Sequence, residues 1–168
     1  MKDPATKDRP VVVGDVTAFD IRGRTHYCAH LLDLTNREAI GIAVSNRLDT
    51  ELVYSALKMA ITRRKNLTGY IHHTDSDSRY CSGQYTNAVK ALGMEISMCV
   101  GNAYENAHAE SFNGTLKRQE INIQDYFSKE QAASSILNYT KLYTAIRPHS
   151  ALKMLTPKEF RALSTAKG

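Results

Sequence analysis

Three runs rich in Val, Ile, Leu and Tyr open the patterned part of the chain, at Val11–Phe19, Thr25–Asp33 and Arg37–Ser45. Turn residues such as Arg22-Gly23-Arg24 and Thr35-Asn36 separate them, and links this short predict an antiparallel three-stranded meander. The period then becomes helical. Leu52, Val53, Ala56, Leu57, Ala60 and Ile61 fall on one face, with Asp49 or Thr50 as N-cap. A fourth strand is expected over Tyr70–Thr74, then a helix through Tyr85, Ala88, Val89 and Leu92 ending at Gly93. Alternating Met94, Ile96 and Met98 predict a fifth, short strand. Beyond Cys99–Asn102 a long helix carries Ala109, Phe112 and Leu116 on its apolar face. Ser128 with Gln131 predicts a capping box for a helix through Ile136, Tyr139 and Tyr143, and Thr156-Pro157-Lys158-Glu159 predicts one for a last short helix.

That order defines an α/β chain in which strands four and five join through crossovers. It suits a ribonuclease-H-like, five-stranded mixed sheet flanked by helices. It does not suit a doubly wound dinucleotide fold, because no GxGxxG follows the first strand. Residues 1–10 read as a polar tail with two prolines and residues 11–165 as one catalytic-sized core. With 168 residues, 42% of them hydrophobic, the chain has enough apolar surface for a core without disulfides or a structural metal. Cys28, Cys81 and Cys99 are odd in number and form no CxxC pair, which argues against a disulfide scaffold and for a reducing compartment. No apolar run approaches a membrane span and MKDPATKDRP has no signal-type h-region, so the expectation is a soluble, cytoplasmic protein. A net charge of +5 tilts the partner toward an anion such as nucleic acid.

The candidate chemistry is carboxylate chemistry. Asp15 sits mid-strand among apolar neighbours, where an uncompensated charge is expensive. Asp75 ends the fourth strand, and if that strand pairs with the first, the two acids lie side by side and favour a divalent cation. Glu110 lies on a helix face shared with Asn106, Asn113 and Lys117. Taken singly, each has an ordinary explanation as a turn cap or a solvated helix stripe. His26, Cys28 and His30 alternate along one strand and face one side, an arrangement open to a transition metal or to simple core packing. Arg63-Arg64-Lys65 follows Ile61-Thr62 as either a phosphate-binding run or a helix end whose cations complement the dipole.

Together the acids form a compound pattern. The chain resembles the catalytic core of integrase-like bacterial transposases, the insertion sequence three family, related to retroviral integrases. The resemblance rests on GDVT around Asp15, LLDLTNREAIG at Leu31–Gly41, HTDSDSRY at His73–Tyr80, GNAYENAHAESFNGTLK at Gly101–Lys117, and YTAIRPHSAL with LTPKEF further on. It implies a DDE triad of Asp15, Asp75 and Glu110 binding two Mg²⁺ or Mn²⁺ ions, for cleavage and strand transfer of double-stranded DNA, transposon ends and target alike. It further implies that Lys117, Asn106, Arg147 and His149 contact DNA, that the chain assembles as a homo-oligomer or with a partner transposase subunit, and that it is nucleoid-associated. The chain departs from the family at Asp77, where a glycine is usual, so crowding of Asp75 by an added charge is expected. It also lacks the family's end-recognising N-terminal region, which reads as a core alone or a truncated frame. The rival readings are an inactive remnant that binds DNA or inhibits a full transposase, and a ribonuclease H acting on hybrids.

Overall fold

The structure, a computed structural model, describes residues 9–98 and 103–166. Its elements in chain order are β1 (Val11–Ile21), β2 (Arg24–Asp33), β3 (Glu38–Ser45), α1 (Thr50–Arg63), β4 (Ile71–Thr74), α2 (Gly83–Ala91) and β5 (Glu95–Met98), then α3 (Ala103–Gln119), α4 (Lys129–Ile146) and α5 (Pro157–Thr165). The sheet order is β3-β2-β1-β4-β5. β1, β2 and β3 pair antiparallel, while β4 runs parallel to β1 and to β5. Five strands in mixed order with helices on both faces is the architecture expected. Short 3-10 turns at Ile121–Ile123 and Ser150–Leu152 carried no periodic signal and were not anticipated.

The alternation of β1 divides the core in two. Val11, Val13, Phe19 and Ile21 join Cys28, Leu32, Phe112, Leu116, Ile136 and Tyr143 under α3 and α4. Val12 joins Leu31, Ile40, Leu57, Tyr80, Tyr85 and Val89 under α1 and α2 on the opposite face. Side chains two apart share a face, so Asp15 follows Val13 toward α3. Ile61 alone departs from the predicted face of α1, being 37% exposed.

Local hydrogen bonds set the helix boundaries. Asp49 accepts from the Leu52 amide at 3.1 Å, and Gly93, at φ +70°, ends α2 in a left-handed conformation that a side chain would resist. Thr156 and Glu159 form the predicted reciprocal box ahead of α5. The box at Ser128 differs: Ser128 accepts from the Gln131 amide, but the Gln131 side chain takes the amide of Phe127, one residue before the cap.

The Arg63–Arg64 run is structural. Arg63 donates to the Ala39 carbonyl at 2.7 Å, and Arg64 donates to Glu38 at 2.6 Å and Asp33 at 3.4 Å. Glu38, buried on β3, also accepts from Arg161 of α5 at 2.8 and 2.9 Å. Among the described residues no helix is long and apolar enough to cross a membrane.

Candidate active site

β1 and β4 pair in register from Val11 opposite Ile71 to Gly14 opposite Thr74. The next residue on each strand is the acid, so Asp15 and Asp75 emerge at the same level from adjacent strands, roughly 5 Å apart in the backbone. Gly14 makes the approach possible, because a Cβ there would stand 2.9 Å from Leu31 Cδ2 and 3.2 Å from His72 Cε1. Glu110 arrives from α3, whose Ala109, Phe112 and Leu116 are buried against the sheet as their spacing predicts. Gly14, Asp15, Asp75, Ala109 and Glu110 line a cleft of about 70 Å³.

Asp15 is half-buried and forms no ion pair among the described residues. Its Oδ1 accepts from the Val16 amide at 2.7 Å and its Oδ2 from Asn113 Nδ2 at 2.6 Å. Burial pushes its carboxyl up to about 6, with Asp75 and Glu110 adding repulsion against the relief of those hydrogen bonds. The compensation demanded by a mid-strand carboxylate is thus only partial, and the cleft carries unneutralised negative charge. Asn113, three residues beyond Glu110 on the same helix face, was not singled out as a site residue, although its spacing was the signal available.

The donor set suits a hard divalent cation, since every charged ligand facing the cleft is a carboxylate. Among the described residues, no three His, Cys, Asp or Glu side chains already converge to hold a metal. That statement covers His26, Cys28 and His30 as well. Cys28 and His30 are fully buried, His30 against Phe112 with ring centroids 4.8 Å apart, and the His26 ring nitrogen Nδ1 meets the Arg24 carbonyl. The packing alternative describes them, and burial pushes the Cys28 thiol up to about 12 and His30 down to about 3.

The remaining candidates scatter. Lys117 is half-exposed on α3, two turns from Glu110, and makes no ion pair among the described residues. The Asn106 side chain and Cys99 lie outside the described residues. Arg147 and His149 do not reach the acidic cleft. They line a separate pocket of about 210 Å³ on the other flank of α3, where Arg147 donates to Gln119 at 2.9 Å and both stand against the Tyr143 ring. Asp77 does not crowd Asp75 with free charge: its carboxylate pairs with Arg79 and accepts the Arg79 amide at 2.9 Å. Nor does it need glycine, since it is not among the residues with positive φ.

A mixed sheet of this order, flanked by helices, is the ribonuclease-H-like fold. The chain belongs to the integrase core domain family, matching that family's model over residues 5–102 and a second model of the same description over residues 92–157. It is 34% identical over 158 residues to the transposase for insertion sequence element IS904 of Lactococcus lactis subsp. lactis (strain IL1403), covering 93% of this chain and 62% of the relative. It is 35% identical over 149 residues to transposase InsF for insertion sequence IS3A of Escherichia coli (strain K12), covering 88% and 52%. The chain therefore spans a little over half the length of these relatives. The HTLV-2 integrase catalytic core domain, in complex with magnesium in a trimeric form, superposes with a TM-score of 0.69 at 13% identity, covering 89% of this chain and 94% of that one.

Proposed function

We propose that this chain is the catalytic core of a DNA transposase, cutting phosphodiester bonds at the ends of an insertion element and joining the freed 3′-hydroxyl to target DNA. The observation that carries the reading is the cleft in which Asp15, Asp75 and Glu110, from three elements, gather uncompensated charge. The relatives named as insertion-sequence transposases support the substrate class. Asp15, Asp75 and Glu110 would hold Mg²⁺ or Mn²⁺. Such ions, when bound, polarise the phosphoryl group and stabilise the attacking and leaving oxygens. Asn113 and the Val16 amide hold one Asp15 oxygen each, fixing the plane of that carboxylate. Lys117 binds the DNA backbone beside the cleft as a point charge. The attacking group is water in end cleavage and the 3′-hydroxyl in joining, and the partner in assembly is a second copy or another transposase subunit.

The test is a Mg²⁺-dependent joining assay on end-containing DNA with Asp15→Asn, Asp75→Asn and Glu110→Gln. Each is expected to lower the rate by several orders of magnitude while far-ultraviolet dichroism stays native. Full activity in any one removes that residue from the mechanism.

A second reading follows from Asp15, whose burial favours the neutral form over the charged form that a metal needs. In it the chain folds and binds DNA but performs no chemistry. Calorimetric titration with Mn²⁺ separates the two: saturable binding lost in Asp15→Asn supports the enzyme, and no binding supports the inactive core.

A further inference from the structure

We propose that the pocket between α3, the β2–β3 turn and the end of α4 is a second phosphate-binding site for DNA, set apart from the acidic cleft. It rests on the DNA reading above and concerns where that DNA is held. Arg37, Arg147 and His149 line it together with the hydroxyls of Ser111, Thr115 and Ser150. Among the described residues, no carboxylate lines it. α3 divides the two sites: Ala109 and Glu110 face the cleft, whereas Ser111 and Thr115 face the pocket. One helix diameter, roughly 10 Å, therefore separates a phosphate in the pocket from the carboxylates.

Two observations ask for an anion there. Neither Arg37 nor Arg147 forms an ion pair among the described residues, and the Arg147 guanidinium donates to the neutral Gln119. His149 Nε2 is buried and meets no hydrogen-bond partner among the described residues, and the ring's proton affinity is lowered first by burial and then by the fields of Arg147 and Arg37. Arg37 itself holds φ +61°, a backbone conformation natural to glycine and strained for arginine. Guanidinium forks, an imidazole and hydroxyls are donors matched to phosphate oxygens. Continuity with the acidic cleft across one helix favours a phosphodiester of the same DNA.

The test is binding of wild type and Arg37→Gly to random-sequence duplex in EDTA over a salt series. Glycine suits the backbone at this position, so the unfolding temperature is expected to stay level or rise. Affinity is expected to fall by about tenfold, with the log–log salt slope shallower by about one. Arg147→Gln is expected to do the same. An unchanged affinity and slope in both overturns the proposal. The His149 ring resonances supply a second readout: they should move with duplex. If inorganic phosphate moves them and duplex does not, the pocket is a small-anion site and the proposal fails. No duplex binding by wild type overturns this proposal and the DNA reading together, whereas retained Mg²⁺-dependent joining with unaffected Arg37→Gly and Arg147→Gln sinks this proposal alone.

Discussion

At Asp15 two amide donors stand where a cation would be the stronger partner. Burial outweighs those donors and makes the carboxyl harder to ionise, from an ordinary value near 3.8 to about 6. In the sense of linkage, the raised value is a cost at neutral pH, absent below about pH 4 and fully present above about pH 6. Asp15→Asn removes the charge and keeps one acceptor for the Val16 amide. Without divalent metal at pH 7.5, the variant is expected to be more stable than wild type by about 1–3 kcal/mol in urea unfolding. A less stable variant would mean the charge is already balanced in the fold. Adding Mg²⁺ should raise the wild type more than the variant, since binding to the native state stabilises it by mass action.

Among the elements, α5 is tied to the sheet through a buried acid. Glu38 receives Arg64 from just beyond α1 and Arg161 from α5, and Arg64 also reaches Asp33, so one hairpin end ties the chain's later helix to the sheet. Removing the anion leaves a largely buried guanidinium without its nearest partner. Glu38→Ala is expected to cost about 3–5 kcal/mol in denaturant unfolding, and a loss below about 1 kcal/mol would show that Arg64 relocates to Asp33 or water. This clamp was illegible in the sequence, where Arg63-Arg64-Lys65 looked equally fit for phosphate, because its partners lie 26 and 123 residues away. What was legible is what short-range periodicity encodes. The three-stranded meander, the buried face of α3 and the Thr156–Glu159 box follow from neighbours within a few positions. The alignment of Asp15 with Asp75 was conditional on one strand pairing, and the parallel β1–β4 register supplies it. That Arg147 and His149 stand on the far flank of α3 from the acids is a tertiary fact with no local signature.

For the whole molecule, two of the three fully buried histidines of the described residues, His30 and His72, shape the response to acid. Burial lowers His30 to about 3 and His72 to about 4, the latter held between the Tyr85 hydroxyl and the Val12 carbonyl. The unfolded chain protonates both near 6.5. Their contribution is therefore complete above about pH 6.5 and drains away as pH falls toward 4, where only the unfolded state takes up the protons. Asp15 and Asp33, both raised, act in the opposite sense over the lower part of that range. The His30 ring makes no hydrogen bond among the described residues, so His30→Leu is tolerated near neutrality. Between pH 7 and 4.5 the variant is expected to lose about 2–3 kcal/mol less stability than wild type, and parallel pH profiles would count against a neutral, buried imidazole. The hydrogen bond from Asn113 to Asp15 bears on a different matter, that of timing. It joins positions 98 residues apart, so no ribosome-bound chain shorter than α3 can complete the cleft. At a synthesis rate of about 5–20 residues per second, the first strand waits several seconds for its partner. A copy terminated between Asp75 and Glu110 carries two of the acids that line the cleft and lacks the third, so its first strand keeps a cleft it can never close.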